Sequence, residues 1–342
     1  MEFKLVNPLC DTDWDRLVSS HPDAVFFHSA AWARVLCRTY AHEPLYLRCS
    51  DHGELAALVP VMEIRSALTG RRGVCLPFSD GCDPLLFNPE CYSLVIDHLA
   101  GMGRERAWKY FEIRGGCAPH ASATPAVAYY GHRLDLRNGP ENLLARAASS
   151  VRRALRKAER SGLTVTANRE GMQEFYRLHV RTRRRHGLPP QPVSFFRNIQ
   201  EEIIQPGAGF IVLARMGSRP VAGAVFFRFN NSAIYKFGAS DETFLEYRGN
   251  DLAMWEGISS LARHGCETLH FGRTSMDKPG LRRFKLAWGT VEERMEYFKF
   301  DVTQGKWGTH RENGTGFYNA VFGRLPLAVN CMAGAMIYPH LD

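Results

Sequence analysis

The chain alternates between helical and extended hydrophobic patterns over most of its 342 residues. Apolar residues recur at helical spacing in AAWARVLCRTY and YSLVIDHLAGMGRERA, whereas PLYLRCSDHGELAALVPVMEIR predicts a hairpin that turns at residues 51–53. WKYFEIR follows as a further strand. This order predicts an α/β domain over residues 1–136.

The second half of the chain repeats the same order of elements. Helices predicted at 150–160 and 171–185 precede a hairpin, FIVLARMGSRPVAGAVFFRF, that turns near Gly217 and Ser218. The strand SAIYKFGAS, the helix DLAMWEGISSLARHG and the strand ETLHFGR come next. We therefore predict an α/β (α+β) protein of two tandem domains, each a mixed central sheet flanked by helices, related by internal duplication.

One predicted helix, SVRRALRKAERSG, has sharply separated faces. Its apolar positions share one side, Ser149 or Ser150 is placed to cap it, and Gly162 is placed to end it. The opposite side is basic, and RTRRRHG at 181–187 adds a second basic cluster at the end of the next helix. The residues that could bind an anionic partner are Arg152, Arg153, Arg156, Lys157, Arg183, Arg184 and Arg185. A merely solvated face is the alternative, and both interpretations stay open.

Charge strengthens the interest of this region, because the net charge of +8 is concentrated there. Residues 146–187 hold 12 Lys/Arg and 3 Asp/Glu, a net of +9, which leaves the rest of the chain at −1. Such asymmetry indicates an anionic partner such as tRNA, a phosphorylated substrate or a membrane surface.

Composition excludes several classes of protein. The nine cysteines include no C-x-x-C pair, and no His/Cys cluster has metal-ligand spacing, so we expect neither a disulfide framework nor a metal site. No leader and no apolar run of about 18 residues stands out, which predicts a cytoplasmic protein without a transmembrane segment, with peripheral contact at the inner membrane face as an option. We expect a monomer.

The familiar motifs of nucleotide hydrolysis, zinc proteolysis, serine esterases and Rossmann cofactor binding are absent from the sequence. Group transfer without a covalent nucleophile remains. Residues 210–265 have the element order of the acyltransferase half-fold known as GNAT, in which an acyl donor binds where neighbouring strands separate and an amine attacks it directly. Both predicted domains are accordingly expected to be GNAT-like.

Four ordered motifs make the resemblance more specific: SVRRALRKAERSGLTV, FYRLHVRTRRRHGLPPQP, YKFGASD and FGRTSMDKPGLRRFKLAWG. With them the chain resembles the FemAB/FemX-like family, the peptidoglycan interpeptide-bridge transferases and their relatives. The resemblance runs from VFFHSAAW to RLPLAVNCMAGAMIYPHL and implies transfer of an acyl or aminoacyl group to an amine. Well-studied members use aminoacyl-tRNA as donor and a lipid-linked or UDP-linked muropeptide as acceptor.

The sequence leaves the acyl donor open between aminoacyl-tRNA and acyl-CoA, and we expect no permanently bound cofactor. Two departures from the family pattern bear on the choice of donor. Members that dock tRNA often carry a long helical hairpin, and no segment here has its length and heptad pattern. Coenzyme A enzymes of the fold use [RQ]-x-x-G-x-[GA], and residues 248–253 put Asp251 where that glycine should admit a phosphate. At roughly 4 Å a carboxylate would repel the phosphate by about 4 kcal/mol, which disfavours acyl-CoA.

Lys285 is the leading catalytic candidate. On a helical wheel with Leu281 at 0°, Lys285 falls at about 40° and flanks Phe284 and Trp288. Arg282 and Arg283 lie apart from it, at about 100° and 200°. By resemblance, the family motif F-K-x-x-[FW]-G makes this lysine face acceptor phosphates or the charge that develops in transfer. A lysine whose stem follows the two rings while its head reaches water is the alternative.

Further candidates are charged or aromatic residues at the ends of predicted strands. Asp80 and Asp83 in LPFSDGCDPLLF could hold the attacking amine, as the resemblance implies, or could only shape a turn. The remaining candidates for substrate binding are Arg273, Lys236, Asp241, Arg114, Trp32, Asn250 and Trp288. For the charged ones, structural ion pairs are an equal alternative, and Trp32 suits a core position better.

These observations define a set of expected boundaries and functions. A basic connecting helix at 137–162 would join the first domain to a second one at 163–300, and the tail at 301–342 would pack back on the first domain or touch a membrane surface. We expect an acyl or aminoacyl transferase acting on an amine, related to the cell envelope or peptidoglycan. The alternatives are an acyl-CoA-dependent N-acyltransferase and a non-catalytic basic module that binds RNA or a membrane surface.

Overall fold

A computed structural model describes residues 1–115, 123–308 and 321–342. Its compact units are two: residues 1–115, 123–129, 294–308 and 337–342 form the first, and residues 130–293 and 321–336 form the second. The predicted domain boundaries stay a prediction, and residues 309–320 of the predicted tail lie outside the described part. One part of the tail prediction is corrected, because residues 321–336 group with the second unit and only residues 337–342 with the first.

The first unit builds two sheets beside three helices. The helices are α1 (Trp14–Ser19), α2 (Ala30–Tyr40) and α3 (Tyr92–Glu105). The strands are β1 (Glu2–Val6), β2 (Glu43–Pro44), β3 (Tyr46–Asp51), β4 (Glu54–Val59), β5 (Met62–Ser66), β6 (Gly70–Cys75), β7 (Leu85–Leu86) and β8 (Tyr110–Arg114). One sheet has the order β1-β3-β4-β7, all antiparallel. In the other, β2, β5 and β6 are antiparallel, and β6 then pairs in parallel with β8.

The second unit repeats this plan on a larger scale. Its helices are α4 (Gly139–Arg146), α5 (Ser149–Arg160), α6 (Met172–Arg185), α7 (Val193–Ile199), α8 (Gly249–Arg263), α9 (Pro279–Leu286) and α10 (Leu327–Ile337). Its strands are β9 (Val127–Asp135), β10 (Leu163–Asn168), β11 (Gly209–Met216), β12 (Arg219–Phe229), β13 (Ser232–Ser240), β14 (Thr268–His270) and β15 (Thr274–Ser275). Strand β16 (Val291–Asp301) begins in the second unit and continues into the first, to which β17 (Lys306–Gly308) belongs. The unit boundaries therefore fall within β9 and β16.

The duplication predicted from the sequence is visible in the pairing of strands. In the second unit β10 to β13 form an antiparallel meander, and β13 then pairs in parallel with β14 after the crossover helix α8. In the first unit the parallel pair β6 and β8 is likewise connected through a helix, α3. Each unit therefore ends its meander with one parallel pair.

Caps define the ends of two helices. Ser29 caps α2 by accepting a hydrogen bond from the Trp32 N–H at 3.4 Å. The helix α5 buries the predicted apolar stripe and is followed by Gly162 with φ near 74°. The predicted serine cap of α5 is wrong: Ala148 occupies the cap position, and the Ser149 Oγ instead accepts a hydrogen bond from Arg153.

Candidate functional site

In the second unit, the parallel strands β13 and β14 pair over only three residues each. The last paired residues are Ile234 and His270, so residues 235–240 of β13 continue without β14 beside them. A bulge between Val225 and Phe226 also shifts the register of β12 against β13. An interrupted pair of this kind is what the GNAT element order predicts.

A pocket of about 280 Å³ lies where α8 begins beside the end of β13. Arg248 precedes the helix in a left-handed conformation with φ near 61°, and Gly249 opens the helix. The full lining consists of Val221, Ala222, Ser240, Phe244, Leu245, Arg248, Gly249, Asn250, Asp251 and Phe284. Asn250, predicted as substrate-binding, therefore lies at this pocket. A helix N-terminus with one arginine suits an anionic or polarised ligand group.

Asp251 lines the same pocket, where the coenzyme A motif of the fold would have glycine. Burial raises the pKa of its carboxyl group, and the nearby Arg248 guanidinium acts in the opposite sense. Its backbone N–H donates to the Arg248 carbonyl at 3.1 Å, within the first turn of the helix. A side chain therefore occupies the position at which a pyrophosphate needs close approach to the backbone.

Lys285 has a buried head rather than one that reaches water. The side chain is 3% exposed, and Nζ donates hydrogen bonds to the carbonyls of Gly272 at 2.8 Å and Arg273 at 3.1 Å. Phe284 and Trp288 pack edge to face next to it, and Trp288 is itself core. Lys285 therefore fixes the loop that follows β14, and the stem-to-water alternative does not describe it.

A polar network that no sequence pattern predicted lies near Lys285. His132 is fully buried on β9, and the charge of Lys285, after burial, lowers the pKa of its imidazole. The His132 Nε2 lies 3.2 Å from the Oε2 of Glu292. Arg282 donates one hydrogen bond of 2.7 Å to each of the two carboxylate oxygens of Glu292. Those bonds lower the pKa of Glu292. Only the tertiary structure could reveal the group, since its members come from three separate segments.

The other charged candidates of the second unit divide by environment. Asp241 is buried, caps the following 3-10 helix through the Thr243 N–H, and pairs with Arg181 at 2.9 Å and Arg219 at 2.8 Å. Burial alone would raise the pKa of Asp241, but hydrogen bonds from Arg219 and Thr243 lower it overall. The substrate-binding role predicted for Asp241 is thus replaced by a structural ion pair. Lys236 and Arg273 are half-buried.

In the first unit, the predicted aspartate loop at 76–83 is held by buried donors. The Tyr297 hydroxyl donates to the Asp80 carbonyl at 2.6 Å, and the His28 Nε2 bonds to the Asp83 carbonyl at 2.8 Å. The Asp83 carboxylate lies so close to Gly115 that a Cβ there would sit 1.8 Å from Oδ2. Both aspartates are half-buried, and Gly115 is the residue that makes room for one of them.

Two candidates of the first unit support that loop from within the core. Arg114 is 2% exposed, pairs with Glu112 at 2.6 Å, and donates to the carbonyls of Leu76 and Ser79. Trp32 is fully buried, and its indole N–H donates to the Pro77 carbonyl at 3.4 Å. The substrate-binding role predicted for Arg114 and Trp32 is corrected to one of support, because neither side chain reaches solvent.

The basic candidates are not equivalent. Arg152 donates to the carbonyls of Ala145 and Ala147 and so stabilises the C-terminal end of α4. Arg183 donates to the Pro189 carbonyl and so stabilises the segment that follows α6. The side chains of Arg153, Arg156, Lys157 and Arg185 are exposed. The side chain of Arg184 is half-buried. The basic face of α5 therefore rests on Arg153, Arg156 and Lys157.

Among the described residues, no group of three or more His, Cys, Asp or Glu side chains could hold a metal ion. Within the same ranges, no helix is both long enough and apolar enough to cross a membrane.

Comparison with known proteins adds family information. Residues 145–286 match the model of an acetyltransferase (GNAT) domain. Two curated relatives from strains of Staphylococcus epidermidis, both named lipid II:glycine glycyltransferase, are 23% identical over an alignment of 230 residues that covers 46% of this chain and 54% of each relative. The chain thus spans about half the length of the curated relatives it matches.

Solved structures match the fold over most of the chain. FemX superposes with a TM-score of 0.71 at 17% identity, covering 89% of this chain and 98% of FemX. A tandem GNAT protein from the clavulanic acid biosynthesis pathway gives 0.58 at 12% identity, covering 88% and 98%. The C-terminal domain of a putative lysylphosphatidylglycerol synthetase from Agrobacterium fabrum gives 0.52 at 13% identity, covering 83% and 90%. The predicted tandem GNAT-like α/β fold is confirmed.

Proposed function

We propose that the chain is a FemAB/FemX-like member of the GNAT superfamily and that it transfers an aminoacyl group to an amine of a lipid-linked acceptor in cell envelope synthesis. The observation that carries this proposal is the pocket at the start of α8, where β13 continues past the end of its pairing with β14. A family fold supplies the reaction class, and the pocket supplies a place for the acyl donor.

The proposed reaction needs no covalent enzyme intermediate. The acceptor amine attacks the carbonyl carbon of the aminoacyl ester, a C–N bond forms, the C–O bond to the donor breaks, and the amine proton ends on the released hydroxyl. Negative charge develops on the carbonyl oxygen during attack. We assign its stabilisation to backbone N–H groups near the pocket and to the field of the buried Lys285 ammonium, worth a few kcal/mol together.

Within the first unit, we propose separately that the loop carrying Asp80 and Asp83 binds an amine group. Its backbone is fixed by the Tyr297 hydroxyl and by His28, so the carboxylates are presented from a rigid support. A carboxylate that accepts a hydrogen bond from the amine orients the lone pair and can receive its proton. Asp83 is preferred over Asp80, because Gly115 makes room for it.

The donor is proposed to be aminoacyl-tRNA, supported by the side chain at the coenzyme A position and by the exposed basic face of α5. Purified protein would be incubated with charged tRNA or with acyl-CoA, each with a lipid-linked muropeptide, and the acceptor mass followed. A mass gain that requires charged tRNA supports the proposal. A gain that requires acyl-CoA favours the N-acyltransferase alternative. Salt-sensitive RNA binding without transfer from either donor would favour the non-catalytic module.

Substitution of Asp251 tests the donor assignment separately. Asp251→Gly restores the arginine, glycine and alanine pattern of the coenzyme A motif at residues 248–253. If the side chain excludes pyrophosphate, this variant gains coenzyme A binding measurable by calorimetry. Asp251→Asn is the matched control, because it removes the charge but keeps the bulk. Coenzyme A binding by the unaltered protein would contradict the assignment.

A further inference from the structure

The helix α10 has a solvent-facing side made only of apolar residues. Its residues 327–337 include no charged side chain, and Asn330 is its only strongly polar one. Val329, Met332 and Met336 are 46%, 67% and 71% exposed, and their spacing places them on one side of the helix. A surface helix normally turns charged residues to water, so an exposed apolar face of this kind indicates a docking surface.

The opposite side of α10 is firmly packed within the second unit. Asn330 is fully buried, and its side-chain amide donates to the Leu188 carbonyl at 3.3 Å. Gly334 comes so close to Pro190 that a Cβ there would lie 2.0 Å from its carbonyl oxygen. The segment 188–190 therefore fixes the helix, and the three exposed apolar side chains are held outward rather than left to collapse onto the core.

The apolar face is bordered by positive charge. The segment that anchors α10 directly follows the basic end of α6, and a Cβ added to Gly323, just before α10, would lie 3.6 Å from the Arg184 carbonyl oxygen and 3.7 Å from the Gly187 Cα. Burial, followed by the charges of Arg185, Arg183 and Lys278, lowers the pKa of His186 in the same turn, so Lys278 lies near this turn. Arg324 is exposed beside Gly323.

We propose that this surface, the apolar face of α10 together with Arg184, Arg185, Lys278 and Arg324, docks the protein on an anionic lipid surface. Exposed methionines that enter the acyl boundary while arginines and lysines meet phosphate headgroups are the two elements of interfacial binding. Eleven residues of helix span only about 16 Å, so α10 lies in the interface and does not cross the bilayer. The purpose of docking, access to a lipid-linked acceptor, rests on the proposed function.

The test uses the full chain with vesicles of phosphatidylglycerol and phosphatidylcholine, and with vesicles of phosphatidylcholine alone. We expect cosedimentation with the anionic vesicles that weakens at high salt. The double variant Met332→Asp, Met336→Asp should lose at least tenfold in vesicle affinity without a change in melting temperature. Leu68→Asp is the matched control, because Leu68 is 77% exposed in the first unit and should change nothing.

The charged part of the surface is tested with neutral glutamine. Lys278→Gln and Arg324→Gln should each weaken vesicle binding about fivefold, corresponding to about 1 kcal/mol for each cation near an anionic surface. Lys157→Gln on α5 should leave vesicle binding unchanged. If Lys278→Gln and Arg324→Gln instead reduce tRNA binding and spare vesicle binding, the surface is an RNA site and the inference fails.

Two more outcomes would overturn the inference. One is absence of binding to anionic vesicles at low salt. The other is a dimer in sedimentation experiments that dissociates in the Met332→Asp, Met336→Asp variant, since a second copy would then cover the face. Transfer to a water-soluble acceptor separates the two proposals: the double variant should keep it. Vesicle binding without transfer to any acceptor would refute the proposed function and leave this inference standing.

Discussion

Gly115→Ala is the substitution that most directly probes the placement of Asp83. The new Cβ would lie 1.8 Å from Oδ2, 2.1 Å from Cγ and 2.3 Å from Oδ1 of the Asp83 carboxylate. Ordinary contacts of a Cβ begin near 3.4 Å. The carboxylate must therefore retreat by about 1.5 Å, or the backbone must move by a similar amount.

The expected effects follow from that displacement. Overpacking costs about 1 to 3 kcal/mol, and a non-glycine residue at the Gly115 φ of 158° adds a further strain of about 1 to 3 kcal/mol. A misplacement of about 1 Å in a group that orients a reactant costs on the order of 100-fold in rate. Gly115→Ala should therefore lose about 2 to 6 kcal/mol of stability, and the protein that remains folded should lose on the order of 100-fold in rate if Asp83 holds the amine.

The assay combines denaturant unfolding with single-turnover transfer. Asp83→Ala and the double variant complete a cycle, in which removal of the carboxylate should recover the clash part of the stability loss but not the backbone strain. Gly101→Ala in α3 is the control, because nothing lies within 4 Å of its Cβ and the substitution should be neutral or stabilising. A folded Gly115→Ala protein with the original transfer rate would refute the placement of the amine at Asp83.

The remaining predictions concern buried charges. Arg114→Met should destabilise the protein by about 3 to 5 kcal/mol in denaturant unfolding, because Glu112 loses a buried partner; a loss below about 1 kcal/mol would contradict the supporting role. Lys285→Met should lower the single-turnover rate by about two to three decades and the free energy of unfolding by about 1 to 3 kcal/mol, since the carbonyls of Gly272 and Arg273 lose their donor; an unchanged rate would remove Lys285 from catalysis. Burial lowers the pKa of His28 to about 4, below its unfolded value near 6.5, so the unfolded state binds more protons in between and stability should fall by about 3 kcal/mol as the pH drops from 6.5 to 4. His28→Gln should flatten that part of a stability profile measured by unfolding at several pH values, and an identical slope would contradict the assignment.

The sequence determined the elements and their order, because local signals sufficed for them. Ser29 marks the start of α2. The apolar stripe of α5 predicts which face of that helix is buried, and Gly162 predicts where it ends. Repetition of the same order in both halves predicted the tandem fold, and the motif that contains Asp251 lines the pocket at the start of α8 in the structure.

Only the tertiary structure decided which charged side chains support the fold. Arg114 and Asp241 have the same appearance in sequence as Lys236, yet burial and ion pairs commit the first two to the interior. His132 and Glu292 are 160 residues apart, so no local pattern could join them. Exposure of Met332 and Met336 likewise depends on which side of α10 meets Pro190. Residue type fixes what a side chain can do, but burial and long-range neighbours fix what it does, and those arise only when distant segments pack together.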